Sequence, residues 1–404
     1  MKKKASGRRL WWAVHQWVGL KLSLFLAFIL FTGTLAVLSA EIDWLLHPTL
    51  RVSPSSVDGP PRWDLIAENS ARYPGVATIN YIARPTARAF AVRVAFQRAD
   101  ESRGYLHVHP TTGKVQGEQS FVDAQRVLRN LHRHLNLPVK YGIPIVCSLA
   151  ILLLISLVTS FVVYRKWWRG FFKPIRWRDV RTAWGDFHRL AGVWSLWFVA
   201  LIALTGLWYL VEQLGGEAPG LPEPTSEVAA LPSGAAATSA ADRLAVSLAA
   251  ARRADPTLVV ESVQFPDEKS GAFVFQGQRS AWLVRPRANA IWVDGASARV
   301  VMASDGGDLG VHQRISEMAD PLHFGTFAGY WTRIPWFLFG LLMTGLALSG
   351  AAIYSHRIAH SARVAVARRP IMSGVWLGMG DWRWLSLILV ITGGVMIGWM
   401  FYKG

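Results

Sequence analysis

Cysteine is almost missing from this sequence: Cys147 is the only one in 404 residues. A lone cysteine excludes a disulfide within the chain, a thiolate-held iron–sulfur cluster, a four-thiolate zinc site and covalent C-x-x-C-H attachment of a haem. Charge is also scarce. Charged residues make up 17% and hydrophobic residues 52%, too apolar for a typical soluble protein. Acidic residues are the scarcer sign, 26 against 43 Lys and Arg, for a net charge of +17. That excess suggests a nucleic-acid partner, but its distribution argues against one. Lys and Arg crowd into "MKKKASGRR", "YRKWWRGFFKPIRWRDVR" and "SHRIAHSARVAVARR", the short segments between alternate apolar runs. Short basic segments stay on the cytoplasmic side of a membrane, beside its anionic leaflet.

What the chain has in abundance is long apolar runs. Five of them, about 14–38, 143–164, 189–211, 334–355 and 384–402, approach the length needed to cross about 30 Å of hydrocarbon at about 1.5 Å per residue. Aromatic rings flank them, as in Trp11-Trp12, Trp167-Trp168, Trp331 and Trp336, where amphipathic rings prefer the interface. The first run lacks an A-x-A cleavage site, so it is expected to be retained. The expected fold is an integral-membrane α-helical bundle of about five spans, internally duplicated, with two α+β domains outside. The boundaries read as 1–38 (cytoplasmic N-terminus and first span), 39–130 (first outside domain), 131–164 (a histidine-bearing segment and second span) and 165–186 (basic cytoplasmic loop). The second half reads as 187–212 (third span), 213–240 (linker), 241–321 (second outside domain), 322–355 (histidine-bearing segment and fourth span), 356–383 (cytoplasmic loop) and 384–404 (fifth span).

The duplication is legible at two places. "HQWVGLKLSLFLAFILFTGTL" from His15 matches "HRLAGVWSLWFVALIALTGLW" from His188, with glycine four residues on (Gly19, Gly192) and Thr-Gly later (Thr32-Gly33, Thr205-Gly206). "LHRHLNLPVKYGIP" from Leu131 matches "LHFGTFAGYWTRIP" from Leu322, pairing His132 with His323. Each outside segment offers a helical pattern and then alternating strands with turn signals, "TTG" in the first and "DG" in the second. The stretch 215–240, rich in Pro, Gly, Ala and Ser, reads as a flexible linker.

Depth pairs the histidines. His15 and His188 open spans that run outward, so both lie near the cytoplasmic face. His132 and His323 precede spans that run inward, so both lie near the outer face. Two facing imidazoles suit the axial positions of a haem, whereas zinc usually takes three or four protein ligands. Gly19 and Gly192, one turn from their histidines, would leave room for a flat macrocycle. Arg9 and Lys21 on one side, Arg133 and Arg314 on the other, are candidates to pair with propionates. His134 rivals His132 two positions away, and His312 is a weaker candidate. His134, His312, His356 and His360 otherwise read as interfacial residues. His107 and His109 read as an exposed strand face rather than a metal site. The mid-span Thr-Gly pairs read as helix-packing positions.

The stretch "TGTLAVLSAEIDWLLHPTL", the motifs "LHRHL" and "LHFG" and the hairpin "VHPTTGKV" resemble the PepSY-associated transmembrane proteins. The resemblance runs from about His15 to Tyr354, each motif short but their order fairly specific. It implies a bacterial inner-membrane protein with PepSY-like periplasmic domains. Several members of that family are tied to iron uptake, and some are similar to haem-containing ferric-siderophore reductases. The resemblance carries the membrane histidines of the family onto His15, His132, His188 and His323. One departure is Asp-Gly-Ala-Ser at 294–297, where the family hairpin keeps Thr-Gly.

The expected function is therefore a transmembrane electron conduit with two non-covalent, b-type haems. It would reduce a periplasmic ferric siderophore and draw electrons from a quinol or a separate reductase, because the chain has no convincing nucleotide fingerprint. A competing expectation is a non-enzymatic membrane protein that binds a periplasmic partner or restrains a peptidase. A transporter is disfavoured, because acidic residues such as Glu41, Asp43 and Glu212 stand only at span ends.

Overall fold

The computed structural model describes residues 7–224, 237–267, 270–361 and 371–403. The first basic segment, the expected linker at 213–240 and the loop at 356–383 lie partly outside them. The chain opens with helices α1 (Gly7–Lys21), α2 (Ser23–Val37) and α3 (Ser39–Leu46), followed by α4 (Trp63–Ala71) and strands β1 (Thr78–Ala83), β2 (Val92–Gln97), β3 (Arg103–Val108) and β4 (Val115–Ser120). Helices α5 (Ala124–His134), α6 (Val139–Cys147), α7 (Leu149–Val163), α8 (Val180–Trp194) and α9 (Leu196–Val211) come next. The second half adds α10 (Ala237–Ala254), β5 (Val259–Gln264), β6 (Ala272–Gln278), β7 (Ala290–Asp294) and β8 (Val300–Ser304). It ends with α11 (Val311–Phe324), α12 (Tyr330–Ser361), α13 (Ile371–Met379) and α14 (Trp382–Lys403).

The chain divides into a helical unit (1–39, 126–217, 322–402) and a sheet unit (40–125, 218–321, 403–404). Among the described residues of the helical unit, four helical stretches are long and apolar enough to cross a membrane: Val139–Val163, Leu196–Gly216, Tyr330–His356 and Trp382–Tyr402. A fifth span is formed if α1 and α2 count as one, although they bend by 67°. The sequence reads as one unbroken run there. The break falls at Leu22, whose backbone leaves helical geometry. The third run breaks at the matching place: Ser195, like Leu22, stands seven residues after the histidine that opens its run.

Helix α2 packs along α12, α1 along α7, α7 along α9 and α8 along α12. Where two helices close in, small residues lie between them, as they do when packing rather than hydrophobicity drives association in lipid. A Cβ at Gly340 would lie 2.7 Å from Thr34 Oγ1, and one at Gly206 3.1 Å from Ala150 Cβ. Helix α14 packs against the α5 segment. Gly393 seats Leu131 and Leu135 of the α5 segment, which carries His132.

In the sheet unit the strands of segments 39–130 and 241–321 form one antiparallel sheet, in the order β4-β3-β2-β1-β5-β6-β7-β8. Each segment folds as a meander, and β1 pairs with β5 at its centre, Ile82 opposite Val263. Helices α4 and α10 share one face. Ile66, Leu244, Ile82, Phe96, Val263, Phe273 and Phe275 belong to a single buried core. One edge of each half-sheet, β1 and β5, is thereby covered by the other.

The turns explain the departure at 294–297. In the first hairpin Gly113 adopts φ of 67°, and a Cβ there would lie 2.8 Å from Leu65 Cβ. In the second, the matching left-handed position is Ala298, at φ of 55°. The Asp294 carboxylate holds that turn by accepting from the Ala296 and Ser297 amides, each at 2.8 Å. The hairpin keeps its geometry without Thr-Gly, at the cost of a strained alanine. Ala298→Gly should relieve that strain and stabilise the sheet unit by about 1 kcal/mol, read as a raised thermal unfolding midpoint. A lowered midpoint would contradict the strain.

Candidate functional site

The helical unit brings the four span histidines together in two pairs. His15 on α1 and His188 on α8 have ring centroids 6.5 Å apart at 82°. His132 on α5 and His323 on α11 have centroids 6.1 Å apart at 35°. His134 does not join them. It follows His132 by two residues, roughly 200° round a helix, and its ring is buried while its carbonyl accepts from the Leu137 amide at 2.9 Å.

Each ring is held through its Nδ1. His132 Nδ1 lies 2.9 Å from the Ile29 carbonyl, which only accepts, so Nδ1 carries the proton. His15 Nδ1 lies 3.2 Å from the Ser156 carbonyl and 2.9 Å from Thr159 Oγ1. His188 Nδ1 lies 2.9 Å from Ser349 Oγ, and His323 Nδ1 lies 2.8 Å from Thr205 Oγ1. Those hydroxyls donate back into their own helices: Thr159 to Ile155 at 2.8 Å, Thr205 to Leu201 at 2.8 Å, Ser349 to Leu346 at 3.1 Å. Each hydroxyl oxygen therefore accepts from its histidine. All four imidazoles take the Nδ1–H tautomer, with Nε2 as the unprotonated nitrogen. Histidines that ligate metals are oriented in this way, by an acceptor on the second ring nitrogen.

The Thr-Gly repeats are part of this arrangement and not packing alone. Thr205 is the acceptor for His323. Gly33 receives the His132 ring, since a Cβ there would lie 2.5 Å from His132 Cε1. Gly350 does the same for His188, at 3.3 Å from Cε1. Gly19 faces open space, and a Cβ at Gly192 would meet only Leu346, at 3.6 Å. Thr159, Ser349, Gly33 and Gly350 were not among the candidates read from the sequence. The one signal for them is a small or hydroxyl residue at mid-span depth, a pattern shared with ordinary helix packing.

The other candidates lie elsewhere. Lys21 Nζ donates to the Gly378 carbonyl at 3.0 Å and so closes the last turn of α13. Arg314 is drawn into the sheet unit, donating to the carbonyls of Gly306 at 2.8 Å and Trp282 at 2.5 Å. This corrects the assignment of Arg314 to a propionate beside His132, because its guanidinium is spent on a loop. Arg9 and Arg133 are exposed. His312 is exposed at the start of α11, about 16 Å along the helix from His323. A missed cation lies nearer: the Arg129 guanidinium stacks over Phe324, the neighbour of His323, at 5.2 Å.

His107 also requires a correction. It is fully buried, not on an exposed strand face, and Nδ1 lies 2.8 Å from Thr49 Oγ1. Burial first, and then the Arg93 charge, push its pKa down from 6.5 to about 4. His109 caps its turn, accepting from the Thr111 amide at 3.2 Å. Among the described residues no group of three or more His, Cys, Asp or Glu is arranged to hold a metal ion, so each pair offers two ligands.

The apolar helices and the antiparallel sheet define a membrane protein with a helical bundle and a sheet unit. Residues 12–357 match the family described as the PepSY-associated TM region, and the chain belongs to that family. No curated protein matches the chain.

His107 makes the sheet unit acid-sensitive. Its folded-state pKa is depressed, so its burial carries no penalty above pH 6.5, and stability falls as pH drops from 6.5 toward 4. Thermal unfolding at pH 7.5 and pH 5 should show that loss, and His107→Gln should shrink it. An equal loss in the variant would assign the acid sensitivity to other groups.

Proposed function

We propose that this chain is a di-haem electron-transfer protein of a bacterial inner membrane, reducing a periplasmic ferric siderophore and releasing Fe(II). The observation that carries the reading is the pair of facing imidazole sets, all four with Nδ1 bonded and Nε2 unprotonated. The ring centroids, 6.5 and 6.1 Å apart, bring the two imidazoles of each pair close enough to hold one group between them. A two-ligand donor set suits a macrocycle that supplies the other four nitrogens, and the open face at Gly19 leaves room beside His15.

His15 with His188 would hold one haem, and His132 with His323 the other. Bound haem supplies an iron that alternates between Fe(III) and Fe(II). The residues do the rest. Thr159, Ser349, Thr205 and the Ile29 carbonyl fix the tautomers and strengthen the imidazoles as ligands. Gly33 and Gly350 let the rings sit against helix backbone. The apolar spans keep water away, which tunes potential through the local dielectric. The work assigned to both sites is ligation and electron transfer.

Basic segments between alternate spans support a cytoplasmic N-terminus and an outward-facing sheet unit. Electrons would come from a quinol or a separate reductase. The siderophore rests on the family resemblance. Its chemistry is consistent, since reduction to Fe(II) weakens binding by hard oxygen ligands.

The detergent-purified protein should carry about two haems per chain, with sharp low-spin bands on reduction. His15→Ala or His188→Ala should remove one equivalent and spare the other. Reduced protein in lipid vesicles should be reoxidised by an added ferric siderophore. A protein that stays colourless after expression with added haem would sink this reading and leave binding of a periplasmic partner as the role of the family fold.

A further inference from the structure

The two histidine pairs lie at different levels of the bundle, and two helices measure the gap independently. On α7, Ala150 packs at Gly206, beside the Thr205 that holds His323, and Thr159 holds His15. On α12, Gly340 packs at Thr34, beside the Gly33 that seats His132, and Ser349 holds His188. Nine residues separate the levels on each helix, about 14 Å of rise.

Between the levels stands one buried cluster. Phe198 and Met343 stand in it, with Leu30 and Leu153 packed against them, and Trp336 closes the cluster just beyond the Gly340 level. Leu153 falls between Ala150 and Thr159 on α7, and Met343 falls between Gly340 and Ser349 on α12. Leu30 lies three residues before Gly33 on α2. Phe198 lies seven residues before Thr205 on α9 and is 3% exposed. Its ring meets the Trp336 ring edge-on at 5.6 Å. Trp336 in turn donates from its indole nitrogen to the Leu322 carbonyl at 2.8 Å, one residue from His323. The packed route therefore starts beside His323 and reaches the gap through Trp336 and Phe198.

We propose that Phe198, backed by Trp336, is the contact through which an electron crosses between the groups held by the two histidine pairs. This rests on the di-haem reading and adds the route. The step moves one electron, oxidising the iron it leaves and reducing the iron it reaches. Phe198 is neither oxidised nor reduced, and no proton moves. Its role is to fill the gap with close-packed, polarisable atoms, because a void carries no contacts and weakens electronic coupling. Phe198 is thus a positioning residue for electron transfer.

The test uses the full chain in lipid vesicles with a membrane-impermeant reductant added on one side. Wild type should reduce in two phases, the near haem first and the far haem by transfer through the protein. Phe198→Leu and Phe198→Met should keep two haems per chain and the low-spin spectrum, yet slow the second phase several-fold. Phe198→Tyr restores the ring and should restore the rate. An unchanged second phase in a haem-replete Leu or Met variant overturns the route. So does haem loss in every ringless variant, which would make Phe198 a packing residue only. A wild-type protein without two phases or without haem sinks the di-haem reading itself, a different result from an intact two-phase protein indifferent to Phe198.

Discussion

A ring nitrogen carrying a proton among apolar helices must find an acceptor, since no water is there to serve. The backbone of a helix offers few, because its carbonyls are already bonded within the helix. This chain uses the two kinds that remain. One is a carbonyl accepting a second hydrogen bond, as Ile29 does for His132. The other is a hydroxyl that donates into its own helix and accepts from the ring, as Thr159, Ser349 and Thr205 do. Because each acceptor stands on a different helix from its histidine, the four bonds join α1 to α7, α8 to α12, α5 to α2 and α11 to α9. Much of the helical packing follows from that requirement, and so does the choice of tautomer.

The sheet unit answers a different constraint. Four strands and one helix leave a half-sheet with an open edge and a thin core. Pairing β1 with β5 covers one edge of each half, and α4 and α10 then share one larger core. The same unit secures the start of α5 by charge. Buried Asp43 accepts from the Ala124 amide at 2.9 Å, the Gln125 amide at 3.0 Å and Arg93 at 3.1 Å, placing a carboxylate where the helix N-terminus is positive. On α11, Glu317 is gripped by Arg285 and Arg287, at 2.7 and 2.9 Å. Both carboxylates are buried, so each needs these partners to offset its desolvation.

Hydropathy made the spans readable, because lipid admits only long apolar helices. Depth along those spans, together with the matched motifs, grouped His15 with His188 and His132 with His323. The interruption at Leu22 was unreadable: the run stays apolar through it, and nothing in composition distinguishes a straight span from one bent by 67°. Lys21 and Arg314 stand close to the histidines in sequence, yet their partners, Gly378 and the Gly306–Trp282 loop, are remote or belong to another element. His107 alternates with His109 as an exposed face would, and only the packing of Thr49 against β3 and β4 buries it.

From the residues alone follow the membrane class, the number of apolar runs, the charge asymmetry between their ends and the four histidines, all local properties of composition and period. Which acceptor fixes each ring, whether His132 or His134 faces His323, and that two meanders become one sheet depend on contacts between residues far apart in the chain. Such contacts are set by the fit of whole helices and strands. A threonine that accepts from a histidine and a threonine that merely packs have the same local sequence, and the histidine's helix, arriving from more than a hundred residues away, is what tells them apart.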